Sequence, residues 1–206
     1  MGKVFLAVWG SGCLEFDIKT ERWKVYLDPD HEMEIDLYRD DGIIHVITTS
    51  VDYCQGALWI STYFGNCRYD GRHWRGYYAD ETGLPSDFTN GLAARSADEA
   101  WLATDKGLGE IADFATDTIV SYRRLPDAPK GTASIYRQGR LIKEVSMPLN
   151  VPHNHITCVA VDGNDLWVGT AKGLAWAVGD GYYSGLRPAS GDNPSTAYRE
   201  ANDSGE

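Results

Sequence analysis

Ala100-Trp101-Leu102-Ala103-Thr104-Asp105-Lys106-Gly107-Leu108 decides the fold of this chain. Four apolar residues ending at a Thr, a polar pair and a Gly read as one strand, a tight turn and the start of a second strand. Leu58-Trp59-Ile60-Ser61-Thr62 followed by Gly65 repeats the pattern, as does Leu166-Trp167-Val168-Gly169-Thr170 followed by Lys172-Gly173-Leu174. The likeness extends backwards. Leu84-Pro85-Ser86-Asp87-Phe88-Thr89 leads into the quoted run, and Val151-Pro152-His153-Asn154-His155-Ile156 leads into the last copy. Each lead-in opens an alternating strand, Gly91 to Ala94 or Cys158 to Val161, closed by a polar turn.

Forwards, Tyr69-Asp70-Gly71-Arg72-His73-Trp74 matches Phe16-Asp17 and the stretch to Trp23, so Phe5 to Asp17 overlies Leu58 to Asp70 as a fourth copy that lacks the Trp. Trp59 and Trp101 stand 42 residues apart, Trp101 and Trp167 stand 66 apart. A period near 42, read as four short antiparallel strands a to d, is the length of a propeller blade. The fold class is therefore all-β: a small β-propeller of about four to five four-stranded antiparallel blades over residues 1–186. Phe5–Val8, Ala57–Ser61, Glu99–Ala103 and Asp165–Gly169 are expected to be equivalent strands. Trp59, Trp101 and Trp167 should be equivalent buried wedges between blades. The first copy begins without a clear strand a, and the ring is expected to close within one chain.

Gly83-Leu84-Pro85-Ser86-Asp87-Phe88 and Asp98-Glu99-Ala100-Trp101-Leu102-Ala103-Thr104-Asp105-Lys106-Gly107-Leu108 resemble the two-component regulator propeller repeat. The resemblance covers about residues 4–26, 43–122 and 153–186. It implies blades of the kind found in the sensory portions of hybrid histidine kinases and in other secreted proteins, hence a periplasmic or extracellular setting. It says little about function, because the sequence shows no kinase, membrane-spanning or DNA-binding segment.

The formal charge of −11 argues against nucleic acid, whose phosphates call for clustered Lys and Arg. No stretch approaches the ~20 apolar residues of a membrane span. Val4 to Trp9 is too short an apolar run for a signal peptide and reads as an edge strand entering a turn. Cys13, Cys54, Cys67 and Cys158 form no CxxC and read as buried free thiols.

Chemistry-bearing patterns are sparse. His153 and His155 lie near Cys158, but alternation sends His155 and Cys158 to opposite faces, so no metal site is assigned. Asp162-Gly163-Asn164-Asp165 lacks the remaining ligands of a calcium loop and reads as a strand-to-strand turn. No nucleophile elbow, P-loop or dinucleotide fingerprint appears, so neither catalytic residues nor cofactors are assigned.

Two insertions, about 27–42 and 125–150, fall between the last strand of one blade and the first of the next; the second carries a short hairpin, Ser134–Arg137 to Leu141–Glu144 with Gln138-Gly139 at its turn, expected to be ordered by contact with a partner. Residues 187–206 form a polar tail expected to be disordered. Those connections should emerge on the same face as the b–c turns. Long connections on one face of a rigid scaffold carry contacts. Trp9, Trp74, Tyr77, Tyr78, Tyr182 and Tyr183 are assigned to blade packing. Tyr63 and Phe64 stand apart, since the other copies carry small or polar residues in that turn. The expected contact residues are Tyr63, Phe64, Lys106, Lys172, Ile135, Tyr136, Leu141 and Ile142, together with Asp28 to Glu34. The function expected from this pattern is a non-catalytic binding or assembly module, an accessory subunit meeting a protein partner through one loop face. A small-ligand or carbohydrate sensor module is the second reading, and a propeller lyase or hydrolase the third.

Overall fold

The computed structural model describes residues 2–28, 42–126 and 130–177, with the backbone of the short strand Arg199–Glu200. The described residues form four antiparallel sheets. The first holds β1 (Lys3–Val8), β2 (Gly12–Asp17) and β3 (Arg22–Tyr26). The second holds β4 (Thr48–Cys54), β5 (Ala57–Thr62), β6 (Gly65–Tyr69) and β7 (Trp74–Tyr77), followed by the single-turn helix α1 (Ala79–Thr82). The third holds β8 (Thr89–Ala94), β9 (Ala100–Thr104), β10 (Gly107–Asp113), β11 (Thr118–Arg124), β12 (Lys130–Arg137) and β13 (Arg140–Pro148). The fourth holds β14 (Ile156–Asp162), β15 (Asp165–Thr170), β16 (Gly173–Ala177) and β17 (Arg199–Glu200). This is the all-β propeller organisation read from the repeat, and β1, β5, β9 and β15 are its equivalent strands.

Hydrogen bonds explain the Thr and Gly of the repeat. Thr104 Oγ1 donates to Gly107 O at 2.6 Å and accepts from Lys106 N at 3.3 Å, locking the turn from inside. Thr62 and Thr170 make the same pair of bonds in their turns. Gly107 has φ +151°, and a Cβ there would lie 2.6 Å from Tyr122 O, so neither conformation nor space admits another residue. The first sheet has no such Thr, and Thr48 of the next sheet substitutes by donating to Gly12 O at 2.6 Å.

Register corrects the alignment of the first copy. Trp59 pairs with Arg68 and Trp101 with Glu110, while in the first sheet Phe5 pairs with Glu15. Phe5, not Leu6, therefore holds the place of the Trp, and the b–c turn of that sheet, Trp9 to Ser11, is one residue longer. β1 is thus a strand b, and no strand a of that sheet lies among the described residues. Ile35 to Thr49 can also be read from sequence as a strand a–b hairpin of its own; the stretch lies partly outside the described residues, and its described end opens β4.

Because side chains alternate along a strand, every sheet has two faces. One face, here called the front, carries aromatics: Trp59 and Tyr77, then Trp101 and Tyr122. The back face of the next sheet is mainly aliphatic. Trp59 and Tyr77 pack on Leu92, Ala100, Leu102, Ile111 and Ile119. Trp101 and Tyr122 pack on Ile156, Leu166, Val168 and Ala177. Cys13 and Tyr26 pack on Leu58, Ile60 and Cys67. The innermost strands β1, β4, β8 and β14 lie side by side in that order, and no comparable packing joins β14 back to β1 among the described residues. Among the described residues the four sheets follow one another without the closure expected of a ring within one chain. Trp59 and Trp101 are 1% and 2% exposed, whereas Trp167, with no following sheet among the described residues, is 38% exposed. The thiols divide likewise: all four cysteines are free, Cys13 and Cys67 are buried, Cys54 is half-buried, and Cys158 is exposed on the last front face rather than buried.

Burial pushes the Cys13 and Cys67 thiols up to about 12, so they stay protonated packing groups. The d-strand tyrosines differ in their partners. Tyr26 donates to Glu15 at 2.5 Å and Tyr122 to Glu110 at 2.6 Å, while Tyr77 faces Arg68 at the equivalent place and its buried hydroxyl has no hydrogen-bond partner. Tyr122→Phe should cost about 1–3 kcal/mol by removing a hydrogen bond to a buried carboxylate, and Tyr77→Phe less than about 0.5 kcal/mol. Urea midpoints of the two variants check this, and equal losses would refute the assignment. Trp101→Ala should cost about 3–5 kcal/mol. The same urea titrations decide it.

Candidate functional site

The b–c turns of the first two sheets and the entry to β8 bring five rings together. Trp9 meets Tyr63 edge-on at 5.7 Å, Tyr63 meets Phe88 at 4.7 Å and Phe64 at 5.1 Å, and Phe64 meets His45 at 4.6 Å. The cluster is not core. Trp9 is 66% exposed and Tyr63 40%. Backbone bonds seat it: Tyr63 N donates to Ile47 O, Gly65 N to Asp87 O and Asp105 N to Phe88 O. These bonds tie the turns of the second and third sheets to the loops beside them, so the ring positions are set by the scaffold. Burial pushes the His45 imidazole below its ordinary pKa, keeping it neutral beside Phe64.

Phe88 also edges a groove of about 620 Å³. Its lining is largely polar and includes Asp80, Asp87, Lys106, Arg123 and Tyr136. The connection from α1 to β8 forms one wall, pinned by Ser121 Oγ donating to Gly83 O and by Arg123 donating to Pro85 O at 3.0 Å. Gly83 has φ +83°, and a Cβ there would meet the Tyr136 ring at 2.3 Å, so the wall and the ring are in direct contact. Asp87 Oδ1 accepts Ala79 N–H at 2.7 Å. Burial raises the Asp87 pKa, the nearby Asp80 carboxylate adds to the rise, and Lys106 opposes it. The groove thus offers two cations and two carboxylates beside a half-exposed aromatic cluster. Such a set can bind through rings and directional polar bonds.

The expected contact residues divide. Tyr63 and Phe64 lie in the cluster, and Lys106 and Tyr136 line the groove. Lys172 occupies the equivalent turn of the fourth sheet, where its backbone N–H serves the Thr170 turn lock. Ile135 is 2% exposed inside the core formed by the third and fourth sheets, because β12 continues the sheet beside β11, pairing Ile135 with Val120. Leu141 and Ile142 are exposed on β13, the sixth strand of that sheet, at the rim of the sheet rather than in the cluster. The hairpin expected in this segment is present as β12 and β13, and pairing with β11, not contact with a partner, orders it. Residues 29–34, Tyr182 and Tyr183 lie outside the described residues. Trp9 was assigned to packing, and its place beside Tyr63 became legible only once the longer first turn was known. His153 Nδ1 accepts His155 N–H at 2.9 Å and so caps the entry to β14. Asp162 and Asp165 flank the plain turn expected of them.

The family described as Two component regulator propeller matches residues 150–172, the lead-in and strand b of the fourth sheet, in agreement with the resemblance read from the repeat. No curated protein matches the sequence. Among solved structures, the chain is similar to the extracellular domain of the hybrid two component system BT3049 from B. thetaiotaomicron, at 13% identity and TM-score 0.45, over 84% of this chain and 31% of that one. It is similar to the extracellular domain of the one component system BT4673 from the same organism, at 15% identity and TM-score 0.45, over 84% and 26%. Virginiamycin B lyase from Staphylococcus aureus matches at 13% identity and TM-score 0.41, over 82% and 59%. The chain thus spans about a third or less of the two extracellular domains.

The raised pKa of Asp87 gives a signed test. Its contribution favours folding below the ordinary aspartate range, about 3.9, and is lost as pH rises through the higher folded value. Asp87→Asn keeps an acceptor for Ala79 N–H and removes the charge. The variant should therefore melt at or above the parent temperature at pH 7, with the difference shrinking as pH falls toward 4. A variant that melts lower at pH 7 but equally at pH 4 would show that the charged form is the stabilising one.

Proposed function

We propose that this chain is a non-catalytic binding module whose partner is a protein docked on the face carrying Trp9, Tyr63 and Phe88. One observation carries the reading. Large rings occupy turns where the fold asks for none, since the equivalent turns hold Asp105-Lys106 and Ala171-Lys172. Contiguous exposed aromatics beside mixed charge have the composition of an interface centre with a polar rim. The groove supports binding over catalysis, because Asp87 and Arg123 are engaged in holding the backbone of its wall.

A small polar ligand is the second reading, favoured by the groove itself. Its volume of about 620 Å³ suits a small molecule, and the neighbouring rings could stack on a sugar.

Affinity capture with a Trp9→Ala, Tyr63→Ala double variant separates these readings. The protein reading expects capture of a stoichiometric partner to weaken at least tenfold, about 1.4 kcal/mol, with an unchanged melting temperature. Lys19→Ala, on the turn between β2 and β3 at the opposite end of the strands, should leave capture intact. Undiminished capture by the double variant would place the interface elsewhere. A small molecule carried through native mass spectrometry and lost on Lys106→Ala would favour the second reading.

A further inference from the structure

The two ends of the arc are complementary to each other, independently of the loop face. The front of the fourth sheet is uncovered: Trp167 and Trp176 stack at 5.5 Å, with exposed Leu174 and Cys158 on the same face. Every other front face among the described residues is covered by the back of the following sheet. At the opposite end the back of the first sheet is uncovered too. Cross-strand pairing puts Val4, Phe16 and Trp23 in one row and Leu6, Leu14 and Val25 in the next. Val4, Leu6, Trp23 and Val25 are 41, 40, 57 and 49% exposed. No charged side chain stands in these two rows. Lys3 and Glu15, which pair with each other, belong to the front of that sheet.

Three joints inside the chain show what covers each kind of face: an aromatic or mixed front receives an apolar back. The exposed front of the fourth sheet and the exposed back of the first are the two halves of one more such joint. They sit at opposite ends of one arc that does not close on itself among the described residues.

We propose that two copies of this chain join end to end, the front of the fourth sheet of each seated on the back of the first sheet of the other. The two joints are identical and make a two-fold ring of eight sheets, at the upper end of usual propeller sizes. Each joint continues the packing already used three times within the chain and removes both apolar faces from water.

Sedimentation at micromolar concentration should show twice the 22.8 kDa chain mass. Leu6→Glu and Trp167→Glu, each on an exposed side chain, should each yield a folded monomer with an unchanged circular dichroism spectrum. Mixing the two variants leaves one unspoiled joint per pair and should restore a weaker dimer. Cys158 supplies a readout in trans. Its alkylation should be slow in the parent and at least tenfold faster in Leu6→Glu, although Leu6 lies on the first sheet and Cys158 on the fourth. A parent that sediments as a monomer overturns the proposal. So does a dimer broken by Trp167→Glu but untouched by Leu6→Glu, which would be front-to-front pairing.

Discussion

The joint between sheets is the interaction on which everything else rests. A Trp and a Tyr from one sheet lie flat on the aliphatic side chains of the next. Trp59 stacks with Tyr77 at 6.3 Å and Trp101 with Tyr122 at 5.7 Å before either meets its neighbour. Stacking within the sheet makes a broad apolar plate, and burying that plate supplies the hydrophobic free energy that no single four-stranded sheet could obtain alone. The Thr-locked turn and its Gly serve the same end. They hold strands b and c at the spacing that keeps the rings on one side.

Once the joints fix the strands, the connections are free to differ. The b–c turns share the backbone geometry set by Thr62, Thr104 and Thr170, yet carry Tyr63-Phe64 in one sheet and Asp105-Lys106 or Ala171-Lys172 in others. A residue change there costs the joint nothing. The aromatic cluster and the charged groove are therefore additions to a scaffold that would stand without them. Hence the argument for function is drawn from that face and not from the repeat.

The strands of each blade and the positions of their turns were legible from the repeat, because spacing of Trp, Thr and Gly records backbone geometry directly. Four things were not. The place of Phe5 required register, since one extra turn residue shifts a strand by one and exchanges its faces. Trp9 changed from packing residue to exposed ring for that same reason. The hairpin of β12 and β13 was legible as a hairpin, but what it pairs with was not: an edge strand accepts any partner of suitable length, and the identity of that partner leaves little trace in local sequence. Ile135 was consequently taken for a surface residue while it completes the core beside Val120. The exposure of Trp167 could not be read either. Its sequence context is that of Trp101, and what separates them is whether a following sheet lies against the ring, which among the described residues it does only for Trp101.

Edges and faces of this fold face different constraints. At the outer edge of the third sheet, β13 carries Arg140, Lys143, Glu144 and Pro148, charges and an imino acid that discourage further strand pairing. Ser134 donates to Glu144 at 2.9 Å, so even a charge on the rim is held in place. An edge can be defended this way because its backbone, not its side chains, is what another strand would recognise. A face has no such defence. The residues that would repel a neighbour on the front of the fourth sheet are those the repeat needs to be Trp and Gly. Sequence repetition therefore carries the joint-forming surface to the last sheet along with its strands. An arc built from such units presents matching surfaces at its two ends for as long as it stays open.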